Sequence, residues 1–314
     1  MRDQQTIGES FSFSGLGLHS GDPASVTVHP APEDTGIVFL QKCAQTMTSC
    51  KASIENIHST TLCTAIGANG IAIQTVEHLL AALAGMEVDN AYVDFEGNEV
   101  PAMDGSASHF VQLVQSVGVI GQSSLRSYLK IVRPFTMGGH DRFVRVIPST
   151  LPKVTYTIEY PHPLIQQQTY VFHWSPREFH KQIAPARTFA FSGDIEALWA
   201  RGLGQGGSLD NTVVLSETNV LNEDGFRYPD ECVRHKIVDF IGDMALLGTP
   251  VIGHFIVHCA GHTLHAQFLQ AILEHPEAWI LLNAPQEEKK KWSPSSPSLL
   301  PLSPEQSRLH VSPL

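Results

Sequence analysis

The residues best suited to chemistry in this 314-residue chain fall in three short stretches. Glu77 and His78 sit side by side in "TVEHLLAALAG". His235, Lys236, Asp239 and Asp243 share "RHKIVDFIGD". His258, His262 and His265 crowd "HCAGHTLH". On a helix of 3.6 residues per turn, residues i and i+4 lie about 40° apart around the axis. His235, Asp239 and Asp243 therefore form one polar stripe beside the apolar Ile237, Val238, Phe240 and Ile241. An isolated His-x3-Asp is commonly a solvated surface pair, and Glu-His is ordinary helix composition. What sets these apart is that they interrupt the most apolar helices of the chain, where an unpaired charge is expensive.

A catalytic zinc takes three protein ligands and keeps a fourth position open, and histidine with carboxylate is an ordinary donor set for it. His235 and Asp239 supply two donors from one helix face, and His78 is the candidate for the third. Glu77, next to it, is placed to take a proton from a water whose pKa such an ion lowers to about 7. His262, after Gly261, reads by itself as a helix-cap or loop histidine. Taken together, the three clusters point to a metal-dependent hydrolase, and spacing goes no further.

The elements that must position these groups can be read from pattern. "TVEHLLAALAG" predicts a helix with Thr75 as N-cap and Gly85 at the C′ position. "VDNAYVDFE" reads as a strand, and "ASHFVQLVQSVG" as an amphipathic helix with Phe110, Leu113 and Val114 on one face. "KVTYTIEY" alternates as a half-buried strand. "SPREF" carries Ser175, Pro176 and Glu178 in capping-box order. "NEDG" is turn chemistry. "DECVRHKIVDFIGDMALLG" predicts a long helix closed by Gly248, followed by a strand in "VIGHFIVH" and a last helix in "HTLHAQFLQAILEH".

The two halves follow one plan of strands, helix and glycine, strand, loop, helix. The expected fold class is thus α+β, with two similar domains at 1–124 and 125–285. A Pro/Ser-rich flexible tail at 286–314 follows. The long helices of the two domains face each other.

With 42% hydrophobic and 16% charged residues the chain reads as soluble and globular. Its net charge of -11, from 20 basic and 31 acidic residues, argues against duplex nucleic acid as a partner. The start, "MRDQQTIGES", is polar rather than a signal peptide, and the longest apolar run is too short to span a bilayer. Five cysteines without a CxxC pair fit reduced thiols in the cytoplasm.

"TVEHLLAALAGMEVDN", "PAMDGSASHFV", "PARTFAF", "LNEDGFRYPDECVRHKIVDFIGD" and "GHTLH" together resemble the zinc-dependent UDP-3-O-acyl-N-acetylglucosamine deacetylases of lipid A biosynthesis. The match runs in order from "GLGLHSG" to Trp279, nearly all of the chain but its tail. The resemblance implies a β-α-α-β sandwich with the active site at the domain interface. It makes His78, His235 and Asp239 the ligands of one catalytic Zn2+, with Fe2+ suiting the same donors.

It further implies Glu77 as general base, His262 as the acid for the leaving amine, and Asp243 as its orienter. Lys236 and Thr188 support the oxyanion. Phe189, Ala190, Leu203, Gly207 and Ser208 fall along a passage for the acyl chain, with His19 and Asp194 in or near the cleft. Ala190 departs from the glycine common there, and Cys63 lies near the metal without being a ligand. The implied substrate is an acylated UDP-sugar, whose acyl chain would also make any peripheral membrane contact, and the implied enzyme is a monomer. Two other readings stay open: an amidase of the same scaffold acting on a different N-acyl sugar, and a non-catalytic sugar-nucleotide binder.

Overall fold

Alternating apolar residues build the sheets of this protein. The computed structural model describes residues 2–43 and 46–283; the predicted tail lies outside them. In Lys153–Tyr160, Val154, Tyr156, Ile158 and Tyr160 are buried while their neighbours are half-buried or exposed, as the sequence period requires. This strand belongs to a five-stranded sheet ordered Phe135–Gly138, Phe143–Ile147, His254–His258, Lys153–Tyr160, Gln166–His173. The successive pairings are antiparallel, antiparallel, parallel and antiparallel. A second five-stranded sheet, ordered Phe11–Leu16, Pro23–Pro30, Ala91–Glu96, Ile37–Cys43, Thr46–Lys51, repeats the same senses. In each sheet the central strand is the last of the five along the chain.

Among the described residues there are six α-helices: α1 (Glu77–Gly85), α2 (Ser108–Val117), α3 (Pro176–Glu178), α4 (Ile195–Ala200), α5 (Glu231–Ala245) and α6 (His262–Glu274). The fold is thus mixed α+β. Helices α1 and α2 flank the central strand of one sheet in sequence, and α5 and α6 flank that of the other. The pairing of Val119–Leu125 with Asp3–Ile7 ends at Leu125. Tyr128–Ile131 then pairs with Val251–Ile252 and with Trp279–Leu282.

Helix α1 is buried on nearly every side, from Glu77 through Leu83, so its short length is stabilised by packing rather than by propensity. It meets α5 closely: a Cβ on Gly242 would lie 2.0 Å from the backbone oxygen of Glu77. Helix α5 turns Ile237, Val238, Phe240 and Ile241 into the core, and it buries His235, Asp239 and Asp243 as well.

Three local expectations are corrected. Thr75 is not the N-cap of α1; Val76 is, and Thr75 has φ 55 with its hydroxyl donated to Glu99 Oε1 at 2.6 Å. Gly85 lies within α1, where a Cβ would strike the Phe179 ring at 2.2 Å; the left-handed residue after the helix is Glu87. "VIGHFIVH" is two strands, because Gly253 breaks the run and Val251–Ile252 pairs in a different sheet. A side chain at 253 would crowd Ile131 and Val146. Elsewhere the local chemistry is as expected: Ser175 Oγ accepts from Glu178 N, Gly225 closes the Asn222 turn, and Gly248 takes φ 67 after α5.

Candidate active site

The first turn of α1 and the middle of α5 bring Glu77, His78, His235 and Asp239 together, all at most 5% exposed. The donor atoms of His78, His235 and Asp239 lie within 4.8 Å of one another. Asp239 Oδ1 is 3.5 Å from His78 Nε2 and 3.3 Å from His235 Nε2. The two imidazoles meet edge-on, with centroids 4.9 Å apart at 84°. His235 donates its Nδ1 proton to the Ala186 carbonyl at 3.0 Å, so its Nε2 carries a lone pair toward the cluster. Burial lowers its pKa to about 3 and keeps the ring neutral. Burial also opposes ionisation of Asp239, but the Lys236 ammonium and a hydrogen bond with His78 outweigh it and hold the carboxyl well below the usual range. Two buried imidazoles and an ionised carboxylate converging on one point are the donor chemistry of a zinc-type cation.

The Ala186 carbonyl is itself held by a buried ion pair. Arg187 gives its backbone N–H and Nε–H to Glu231 Oε1, each at 2.9 Å, which ties segment 186–188 to the first turn of α5. Both side chains are at most 2% exposed. The sequence reading gave these two residues no role; "PARTFAF" and the start of α5 carried no signal that they meet.

Around the donors sit a buried carboxyl and a buried imidazole. Desolvation raises the Glu77 carboxyl to about 7, against the pull of His262 and His78. Its Oε2 accepts the Thr64 N–H at 3.1 Å, and its Oε1 lies 3.8 Å from His262 Nε2. His262, the first residue of α6, places Nδ1 2.8 Å from Asp243 Oδ2. Burial disfavours its charged form, yet Asp243 and Glu77 overcome this and raise the imidazole to about 9. Asp243 is driven the other way, to about 2, because His262 and His265 outweigh its burial. Thr64 touches both partners, since its hydroxyl donates to Asp243 Oδ1 and lies 3.1 Å from His262 Nδ1.

Lys236 donates to Asp239 Oδ2 at 3.0 Å and lies 5.8 Å from the Phe189 ring centroid. Burial works against its charge, but Asp239 raises its pKa and keeps it an ammonium. Phe189 and Ala190 lie in a short strand parallel to Val213–Leu215, where Phe189 and Phe191 pack on Tyr160. Thr188, half-buried, precedes that strand by one residue and follows the Ala186 anchor by two. Cys63 is buried near Glu77 and Thr75, and desolvation pushes its thiol up to about 12, so it is no ready ligand.

The loop at 203–208 docks on the loop that carries His19. Gln205 N and Gly206 N donate to the carbonyls of His19 and Leu18, and a Cβ on Gly206 would sit 2.1 Å from the Gly17 oxygen. Gly207 and Ser208 are exposed, while Leu203 and Asp194 are half-buried. Leu203 N donates to the Leu198 carbonyl, Gly207 N to the Gly204 carbonyl and Ser208 N to Asn211 Oδ1, all within this loop region. His19 is 8% exposed, and its Nδ1 has no hydrogen-bond partner among the described residues. Its backbone is clamped by Glu99, which accepts from His19 N, Ser20 N and the Thr75 hydroxyl. Glu99 is another residue that sequence reasoning missed, since its partners lie about 24 and 80 positions away.

A family model described as LpxC, UDP-3-O-acyl N-acetylglycosamine deacetylase, matches residues 4–274. The chain belongs to the LpxC family. UDP-3-O-acyl-N-acetylglucosamine deacetylase of Oleidesulfovibrio alaskensis is 47% identical over 278 residues, covering 88% of this chain and 91% of that protein. The enzymes of that name from Nitratidesulfovibrio vulgaris and Hahella chejuensis are 46% and 42% identical, over 88% and 89% of this chain and 90% and 93% of theirs. The LpxC match spans both five-stranded sheets and every residue of the buried cluster. No helix among the described residues is long and apolar enough to cross a membrane.

Proposed function

We propose that this protein hydrolyses the N-acetyl group of UDP-3-O-acyl-N-acetylglucosamine, releasing acetate and UDP-3-O-acyl-glucosamine in lipid A biosynthesis. The observation that carries the reading is the buried meeting of His78, His235 and Asp239 with a carboxylate and an imidazole 3.8 Å apart. His78, His235 and Asp239 would hold one zinc ion, with ferrous iron suiting the same donors. When bound, that ion acidifies a water molecule and polarises the acetyl carbonyl.

The chain's own groups divide the proton work. Glu77, as its carboxylate, takes a proton from the water that attacks the acetyl carbon. His262, as imidazolium, gives its Nε2 proton to the nitrogen as the carbon–nitrogen bond breaks, so the amine leaves neutral. With Glu77 near 7 and His262 near 9, a neutral-to-basic window holds both in working form. Asp243 holds the imidazolium through Nδ1. Lys236 and the Thr188 hydroxyl are the groups assigned to the developing oxyanion.

Phe189, Ala190, Leu203, Gly207 and Ser208 are assigned to the acyl chain, and His19 and Asp194 to the cleft. The docking of the 203–208 loop on the His19 loop supports that grouping. Residues 1–124 and 125–285 form the two domains of a β-α-α-β sandwich, with the site where α1 meets α5; the matching strand order of the two sheets supports this division. The protein acts as a cytoplasmic monomer, touching a membrane only through its acylated substrate.

The deciding experiment compares turnover of UDP-3-O-acyl-N-acetylglucosamine with that of unacylated UDP-N-acetylglucosamine. Acetate release that strongly favours the acylated compound is expected. Equal turnover of both would assign the site to a different N-acyl sugar, and none of either would leave a binding protein.

A further inference from the structure

We infer that His265 is a positioning residue that fixes Asp243, and through it the acid His262, in the geometry the reaction uses. Asp243 Oδ2 is shared: His262 Nδ1 lies 2.8 Å away and His265 Nδ1 2.7 Å away, from successive turns of α6. The other carboxylate oxygen receives the Thr64 hydroxyl. A carboxylate bonded to His262 alone could turn about its terminal torsion, which is broad and weakly restrained. Donors from α6 and from residue 64 remove that freedom.

His265 is itself fixed. It is 0% exposed, and Phe240 meets it edge-on at 5.1 Å and 78°. Its Nε2 lies 3.2 Å from the Tyr156 hydroxyl, which donates to the Ala260 carbonyl at 2.8 Å. Tyr156 thus ties the residue two before His262 to the residue three after it. His265 faces Asp243 and Tyr156, not the Glu77 side of His262, so it transfers no proton to substrate. A bulky apolar side chain would fill the same space but leave Asp243 without its second histidine donor, an exposed weakness in a fully buried network.

The inference rests on His262 acting as the acid, and the test separates the two. His265→Leu removes the donor; His265→Asn keeps an N–H near the Nδ1 position; His265→Gln extends one toward Nε2. Expected is a fall in kcat of about 10- to 100-fold for Leu and Gln at unchanged KM and metal content, with Asn recovering most of the loss. In an Asp243→Asn background, His265→Leu should add little further loss. Equal losses in Leu and Asn, or the same fold-loss in both backgrounds, would reduce His265 to packing and overturn the inference. Should the Leu variant not fold, Asn against Gln decides it. Proton NMR of the imidazole N–H signals supplies a readout independent of turnover. The His262 signal should broaden or shift in His265→Gln and persist in His265→Asn, whereas an unchanged signal in both overturns the inference even if the deacetylase reading itself fails.

Discussion

Buried carboxylates and imidazoles here are useful because they are unequal. Desolvation raises Glu77 and makes it a better base, while Asp243, bonded to two histidines, stays ionised and raises His262. Activity should therefore follow a bell, rising as Glu77 loses its proton near 7 and falling as His262 loses its own near 9. The positive charge of a bound metal moves both limbs lower. A kcat/KM profile without an acid limb would rule out Glu77 as base. His262→Ala should cost about 10²- to 10⁴-fold in kcat with metal content unchanged, whereas metal loss would make His262 a ligand. The Asp243–His262 pair stabilises the fold within a pH window. Asp243 is depressed from 3.8 to about 2, so its contribution is present above 3.8 and is lost as pH falls through 2. His262 is raised from 6.5 to about 9, so its contribution is full below 6.5 and is lost as pH rises through 9. Urea unfolding of wild type and Asp243→Asn should differ most between pH 4 and 6.5 and converge toward either end.

At the scale of elements, the site depends on how near α1 and α5 can come. Gly242 lies one residue before Asp243 and three after Asp239, and it faces the backbone at Glu77. Gly242→Ala puts a Cβ 2.0 Å from the Glu77 carbonyl oxygen, a backbone atom that cannot swing aside. The helices must part, which should cost at least about 1–3 kcal/mol of stability and spread His78 away from His235 and Asp239. Denaturation together with metal retention after dialysis measures both effects; unchanged retention would mean that the helix spacing does not set the donor geometry. Segment 186–188 acts as a third support, because the Arg187–Glu231 pair locks the carbonyl that orients His235.

For the whole molecule, helices α1 and α5, which flank the central strands of two sheets of one strand order, meet at one metal-capable cluster, and a metal held there would link both halves of the chain. Chelation should abolish deacetylation, and one equivalent of zinc should restore it. Zinc should also raise the melting temperature, by an increment of about 2.7 kcal/mol in stability at a hundredfold excess over Kd. Metal-free protein that kept full activity would exclude the metal mechanism outright.

Sequence by itself determined the local elements and the residue types: the polar stripe of α5, the alternation of Lys153–Tyr160, the capping box at Ser175. These follow from periods and short-range sterics, which neighbours in the chain dictate. It also singled out Glu77, His78, His235, Asp239 and Asp243, because charges inside apolar helices need a reason; His262 read by itself as a cap or loop histidine, and the family resemblance supplied its role. It misread Thr75 as a cap, since its hydroxyl serves Glu99 across the fold, and it did not see Gly253 dividing one apolar run between two sheets. Only the tertiary structure decided the partners: Thr64 between Glu77 and His262, Glu231 on Arg187, Glu99 under the His19 loop, and His265 beside His262 on one carboxylate oxygen. Those contacts join residues far apart in the chain, or bring two nearby histidines onto one atom. Nothing in local pattern encodes such a meeting, because packing between elements, not propensity within them, fixes it.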